Sequence, residues 1–207
     1  MKIGIIGAGN IGATAARLFS EAGHEVAISN SRGPETLRDA VAKIGPNAQA
    51  LAVDEAARFG DVVLLAIPWR NPEGLPKPEA VAGKIVIDAM NPYRTNHSLF
   101  DLGSSSSSEE TLKRLPGARV VKAFNTIYFE HLATRGRTDV PAAERHAIFV
   151  AGDDAEAKQV VMRLIEEIGF APVDTGSLRE GKKQEPGTPI YNRTLTGAEA
   201  KAAVAAG

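Results

Sequence analysis

Apolar residues in this chain fall in short runs separated by stretches of mixed polarity. Lys2–Ile6 (KIGII) reads as a short buried strand, and the stretch from about Asn10 to Ala22 repeats apolar positions at helical spacing until Gly23 closes it. Glu25–Ser29 predicts a second strand. Gly33-Pro34-Glu35 then starts a second helix, with proline near the first turn, where its missing N–H costs nothing. Ala48–Val53 predicts a third strand, and Asp54 the N-cap of a short helix. Asp61–Ile67 (DVVLLAI) is too apolar for a half-exposed strand and suits the middle of a parallel sheet. Lys84–Met90 and Arg119–Phe124 continue the sheet. His146–Gly152, a helix from about Asp154 to Ile168, and Ala171–Gly176 form a late β-α-β unit.

Such alternation predicts an α/β protein with a Rossmann-type doubly wound parallel sheet. Between Asp101 and Glu110 lie five consecutive serines, which predict a mobile loop; Ser107 with Glu110 is also spaced as a capping box for a helix ending near Leu115. Arg179–Thr196 has no period and reads as an extended arm. Thr196–Glu199 (TGAE) caps a final alanine-rich helix, so the chain closes on a small C-terminal extension.

With 207 residues, 43% hydrophobic and 24% charged, the composition is that of a soluble globular chain able to bury a core. The formal net charge of −1 provides no field to recruit nucleic acid or an anionic membrane. Cysteine is absent, which excludes disulfides, thiolate metal sites and cysteine nucleophiles, and fits a cytoplasmic location. No secretory signal and no run of about 18 apolar residues is present, so no membrane partner is expected.

Gly7-Ala8-Gly9-Asn10-Ile11-Gly12 matches G-x-G-x-x-G, with glycines placed for a tight turn, for close approach to a pyrophosphate, and for packing helix on strand. It follows the first strand and opens a helix, whose N-terminal N–H groups favour an anion. Dinucleotide binding follows. The acidic residue expected roughly 20 residues on, to hold a ribose 2′-hydroxyl, is replaced by Asn30-Ser31-Arg32. A carboxylate there would repel a 2′-phosphate, whereas Arg32 can pair with one and Asn30 and Ser31 can donate to it. The cofactor expected is therefore NADP(H). This divides the chain into an NADP-binding segment (1–125), a continuation carrying acceptor-side elements (126–178), and the arm with its terminal helix (179–207).

Ligands of such sheets lie outside the carboxyl ends of the strands. The segments leaving those ends are Ala66-Ile67-Pro68-Trp69, Met90-Asn91-Pro92-Tyr93 and Ala123–Phe129. Ala66, Ile67, Pro68, Asn91, Pro92 and Ala123 join the candidate cofactor-binding set. Trp69, the only tryptophan, fits two roles, walling the pocket or packing its loop. The four histidines show no clustering and no metal-ligand spacing, so no metal is assigned. Tyr93, Tyr128, His131 and Tyr191 are the available proton donors, and none is assigned a catalytic role.

The stretches GAGNIG, GHEV, NSRGPE, LAIPW, VVKAFNTI and GDDAEAKQVVMRLIEEIG with PVDTGSL, in this order over about residues 1–178, resemble the NADPH-dependent oxidoreductases of the deazaflavin coenzyme factor 420 and related dinucleotide-binding enzymes. The resemblance implies a homodimer that holds the NADP phosphates at Ala8, Gly9, Asn10 and Ile11 and the 2′-phosphate at Ser31 and Arg32. It also places Ile67-Pro68 and Ala123 against the nicotinamide, with a small-molecule acceptor ring stacked above. In that family the chain closes with an apolar helical segment beside the deazaflavin; the polar arm after Leu178 departs from it. The function implied is hydride transfer between NADP(H) and a planar acceptor such as a deazaflavin or flavin. Reduction of a small carbonyl or quinone, or NADP(H) sensing without turnover, are the alternatives.

Overall fold

The computed structural model describes residues 1–206. One eight-stranded sheet organises them in the order β3-β2-β1-β4-β5-β6-β7-β8. The strands are β1 (Lys2–Ile6), β2 (Glu25–Ser29), β3 (Ala48–Ala50), β4 (Val62–Leu65), β5 (Ile85–Asp88), β6 (Arg119–Ala123), β7 (Ala147–Ala151) and β8 (Ala171–Gly176). The helices are α1 (Asn10–Glu21), α2 (Arg38–Ile44), α3 (Val53–Phe59), α4 (Pro78–Val81), α5 (Ser107–Arg114), α6 (Phe129–Thr134), α7 (Ala155–Glu167) and α8 (Gly197–Ala206). β1 to β6 run parallel in the doubly wound order, with the switch point between β1 and β4.

The parallel sheet does not extend to the end. β7 pairs with β6 antiparallel, through Lys122–Ala123 and Val150–Ala151 only, and β8 follows β7 in parallel. Because the overlap involves only the carboxyl tip of β6, the β7–β8 pair projects past the edge from which the site loops emerge.

Period-two alternation distributes the core over both faces. Ile3, Ile5, Val62, Leu64, Ile87 and Val121 pack with Phe19 of α1 and with Val161 and Ile165 of α7. Ile6, Val63, Leu65, Val86 and Val120 face Ala56 and Ala57 of α3, Val81 of α4 and Leu115 at the end of α5. Two charged residues lie on that second face. Lys122 and Asp88 are fully buried, with Nζ 3.9 Å from Oδ2. Lys122 Nζ donates to Met90 O (3.0 Å) and Ser107 Oγ (3.1 Å), while Asp88 accepts from Ser108 Oγ (2.7 Å) and Met90 N (3.0 Å). The pair thus pins the backbone where it leaves β5 for the site.

The serines making this network correct the mobile-loop expectation. Ser106, Ser107 and Ser108 are fully buried, and Ser106 with Glu109, one position earlier than predicted, forms the capping box of α5. Hydroxyls can be buried here because a buried ion pair and a carbonyl need partners. The third strand is also shorter than expected. Val53 already belongs to α3, whose first turn is closed by Glu55 Oε2 accepting the Ala52 N–H (3.1 Å); Asp54 instead accepts from Lys77 N (2.9 Å).

The segment after β8 is not an extended arm. It turns through a 3₁₀ helix at Arg179–Gln184 and buries Gly181, Gln184 and Glu185, whose Oε1 accepts the Ser107 N–H at 2.6 Å. Ile190 enters a small apolar cluster with Phe149, Val173 and Ala200. α8 then begins as predicted, with Thr196 and Glu199 bonded reciprocally.

Candidate active site

The β1–α1 turn is shaped around a missing side chain and a bare helix end. Gly7 has φ +112°, and a Cβ there would lie 2.4 Å from Ala66 O; a Cβ on Gly12 would lie 1.9 Å from Gly7 O. Both glycines are therefore demanded by backbone packing. A Cβ on Gly9 would meet nothing within 4 Å. What it would fill is the cavity itself. α5 and α7 are capped by Ser106 and Asp154, but Gly9 offers α1 no side-chain acceptor, and no acidic residue stands in its first turn. The first N–H groups of α1 are thus left for an external anion, which is what a dinucleotide pyrophosphate brings.

Gly7, Ala8 and Gly9 line a cavity of about 790 Å³ together with Asn30, Ser31, Arg32 and Ala66-Ile67-Pro68. Asn30 has a structural task there. Its Oδ1 accepts the Arg32 N–H (2.9 Å) and its Nδ2 donates to Thr36 Oγ1 (2.9 Å), so the amide shapes the turn that carries Ser31 and Arg32. Arg32 is exposed and, among the described residues, forms no ion pair. Its guanidinium is available to a ligand phosphate.

A second cavity, about 540 Å³, shares Gly9 and Ala66-Ile67-Pro68 with the first and adds Asn10, Ile11 and Asn91. Its far wall is the loop from Phe124 to Phe129. Phe124 has φ +66° with its ring fully buried and edge-on to Phe19 at 6.2 Å. A non-glycine residue in that region costs about 1–3 kcal/mol and is held only by surrounding packing; here it turns Asn125, Thr126 and Ile127 towards the cavity. Asn125 Nδ2 donates to Asn91 Oδ1 (3.0 Å) and Gln184 O (2.7 Å), and Asn91 Nδ2 returns to Asn125 O (3.0 Å). The β5 and β6 loops are thereby tied to each other and to the final segment.

Sequence reasoning named Tyr191 among the available proton donors but read its segment only as an extended arm. Tyr191 and Asn192 line this cavity, Asn192 N donates to Thr126 O (3.0 Å), and the Tyr191 hydroxyl lies 3.4 Å from that of Tyr93 and 3.3 Å from Asn91 Nδ2. Burial and the neighbouring Tyr93 hydroxyl push the Tyr191 phenol well above its ordinary value, so it stays protonated. The chain's own tail therefore closes over the site. Tyr128 and His97 also line the cavity; His131 does not.

Other predicted residues sit behind the surface. Gly12 packs helix on strand, Pro92 is buried with its carbonyl accepting Phe100 N–H (2.9 Å), and Ala123 is fully buried one residue before the cavity wall begins. Trp69 fills both expected roles: it lines the second cavity and, only 4% exposed, packs its loop down, donating to Ser107 O (3.2 Å) beneath the Arg114 guanidinium. Two histidines do come together, against expectation: the rings of His131 and His146 lie 5.6 Å apart, outside both cavities. Burial, then His131 and Arg135, lowers His146 to about 4.

The doubly wound sheet, the uncapped glycine turn at its switch point and the free arginine after β2 have the architecture of a dinucleotide-binding domain. The family described as NADP oxidoreductase, coenzyme F420-dependent, matches residues 2–92. A hypothetical protein of Sinorhizobium meliloti is 33% identical, with a TM-score of 0.82 over 95% of each chain. An Arthrobacter protein provisionally named as an F420-dependent NADP reductase is 28% identical, with a TM-score of 0.76 over 88% of this chain and 87% of its own. The rat metalloreductase STEAP3 is 30% identical over 187 residues, 89% of this chain and 36% of its own. The chain spans about a third of the length of the curated relatives it matches. Residues 2–92, which carry the glycine turn and Arg32, are thus similar to the coenzyme F420-dependent NADP oxidoreductases.

Proposed function

We propose that this protein transfers a hydride between NADP(H) and a planar, flavin-like acceptor seated in the second cavity. The observation that carries the reading is the shared rim: Gly9 and Ala66-Ile67-Pro68 belong both to the cavity with the phosphate cradle and Arg32 and to the cavity walled by Tyr93, Phe124–Phe129 and Tyr191. When bound, NADPH supplies the hydride. The protein supplies proximity and orientation, with Arg32 and the α1 N-terminus fixing the cofactor and the tail excluding water. A ring nitrogen of a flavin-like acceptor takes its proton from solvent, which agrees with a cavity lined by no carboxylate.

The printed name of the rat relative raises a metal ion as an acceptor. A hydride carries two electrons and a ferric ion takes one, so a planar two-electron carrier is the better match to this cavity. The test is NADPH oxidation, followed at the nicotinamide absorbance, with a deazaflavin, FMN, riboflavin, a quinone, a small aldehyde and a ferric chelate. Turnover restricted to the planar carriers supports the reading; turnover with the aldehyde alone overturns it. The Tyr93–Tyr191 hydroxyl pair favours one competing reading, a carbonyl reductase in which a tyrosine protonates the developing alkoxide. In that case Tyr191→Phe or Tyr93→Phe lowers kcat by orders of magnitude, whereas flavin-like chemistry loses only a few-fold.

The reading includes a cytoplasmic homodimer. The family resemblance supports the dimer and the lack of cysteine suits a reducing compartment. Light scattering and cell fractionation test the two.

A further inference from the structure

The tail is held to the body by contacts of unequal strength. Leu178 is fixed first, its N–H donating to Asp153 Oδ1 (2.9 Å) and its carbonyl accepting from Ser106 Oγ (2.9 Å). The 3₁₀ helix at Arg179–Gln184 then lays Gly181 on the stem of the buried Lys122, where a Cβ would lie 3.2 Å from Lys122 Cδ. At its end Glu185 is extended (φ −76°, ψ 160°), the conformation favoured before a proline. Of the two acidic residues between Leu178 and Asn192, Glu180 pairs with Lys183 in solvent. Glu185 is only 9% exposed and forms no ion pair among the described residues. Its Oε1 instead accepts the Ser107 N–H at 2.6 Å. Ser107 is the first residue of α5, so the carboxylate sits where the helix favours negative charge, in a hydrogen bond roughly twice as strong as a neutral one. Ser107 is also a junction: its Oγ accepts from Lys122 Nζ (3.1 Å) and its carbonyl from Trp69 Nε1 (3.2 Å).

Glu185 is linked directly to the cavity wall. Its carbonyl accepts from Thr188 N (3.3 Å) and Thr188 Oγ1 (2.8 Å), and Thr188 O accepts the Tyr191 N–H (3.2 Å). The grip at the wall itself is weaker. Asn125 Nδ2 to Gln184 O (2.7 Å) and Asn192 N to Thr126 O (3.0 Å) are neutral hydrogen bonds. Among the described residues, three buried side-chain polar atoms have no hydrogen-bond partner: Asn125 Oδ1, Thr126 Oγ1 and Gln184 Oε1. All three belong to residues at the seam between the tail and the loop after β6. Unpaired buried polar groups oppose burial, so the seam works against its own closure. Lys182 reaches Gly103 O, but from the exposed surface, where such a contact contributes little.

We infer that Glu185 is a positioning residue for the second cavity: docked on the N-terminus of α5, it latches the tail so that Tyr191 and Asn192 stand in the cavity wall. The inference rests on the reading of that cavity as the acceptor's seat and adds the residue that holds it shut. The latch itself is read without any acceptor present.

The full chain is compared with Glu185→Ala and with Glu185→Gln, which keeps an acceptor oxygen for the Ser107 N–H. Trypsin cuts after Lys182 and Lys183 when the tail opens, so the cutting rate follows the open population. Glu185→Ala is cut about ten-fold faster, the size expected from one lost charge-assisted hydrogen bond. The emission of Trp69, the only tryptophan and bonded to Ser107, moves to longer wavelength. FMN, followed by flavin fluorescence on the chain saturated with NADP+, binds about ten-fold more weakly. The NADP+ Kd is unchanged, because no residue after Gly74 lines the cofactor cavity. Glu185→Gln recovers most of each loss. Unchanged cutting of Glu185→Ala overturns the inference, as does a Glu185→Gln chain as loose as Glu185→Ala. So does faster cutting with FMN affinity intact, or a matching loss of NADP+ affinity, which would make Glu185 a residue of general stability. Failure of the wild type to bind FMN sinks the acceptor reading alone, and the cutting rates and Trp69 emission then decide the latch.

Discussion

Replacing Arg32 by glutamine tests the cofactor assignment without disturbing the fold. The side chain is exposed and unpaired among the described residues, so its removal breaks no internal contact; the backbone N–H that anchors the turn to Asn30 Oδ1 remains. A hydrogen bond to a charged group contributes about 1.5–3 kcal/mol net. At a solvent-exposed position the lower end applies, so the guanidinium–phosphate contact is about 2 kcal/mol, or about 30-fold in Kd. Calorimetry on wild type and Arg32→Gln, each titrated with NADPH and NADH, reads this directly. NADPH affinity falls about 30-fold, NADH affinity is unchanged, and the wild-type preference for the phosphorylated dinucleotide all but disappears. Arg32→Asp goes further, because a carboxylate repels the 2′-phosphate while accepting from a free 2′-hydroxyl. If wild type binds both dinucleotides equally, or Arg32→Gln keeps the preference, the reasoning from the β2 exit is wrong.

Gly12→Ala drives a Cβ into the Gly7 carbonyl and lowers stability by about 1–3 kcal/mol or more, read as a shifted urea midpoint, whereas Gly9→Ala folds normally and loses NADPH affinity. Lys122→Met leaves Asp88 buried and unpaired and costs about 3–5 kcal/mol in chemical denaturation, while adding Asp88→Leu restores much of it. His146 titrates at about 4 in the folded chain, below its ordinary value of 6.5. The unfolded chain therefore binds the extra proton first: stability is constant above about pH 6.5, declines as pH falls towards 4, and levels off below that. Urea midpoints from pH 7.5 to 4 show the decline, and His146→Gln flattens it.

The parallel half of the fold was legible because its signals are local. Lys2–Ile6 and Glu25–Ser29 carry uninterrupted strand patterns, and the glycines at 7, 9 and 12 each answer a backbone demand within one βαβ unit. Asn30 and Arg32 were readable as a pair, though their division of labour was not: only the folded turn shows the amide shaping it and the guanidinium left over. Ser104–Ser108 misled because low complexity suggests solvent, while the partners that let three of these serines be buried, Asp88, Lys122 and Glu185, come from distant segments. His131 and His146 met for a similar reason. The fourteen residues between them fold back so that the residue just before β7 meets α6, and no spacing rule encodes such a return. The segment after Leu178 has no periodicity, yet Gln184 O and Ile190 bind it to the body through single contacts too sparse to register as a pattern.

The closing segment has one more consequence. The cavity with the phosphate cradle is lined wholly from the first 74 residues, whereas Tyr191 and Asn192 reach the second cavity from near the chain's end. Part of the second cavity's wall is thus supplied by a stretch of polypeptide that can vary without touching the phosphate cradle. Descendants of one ancestral gene could keep the cradle and reshape one wall of the neighbouring chamber by rewriting part of the last few dozen codons.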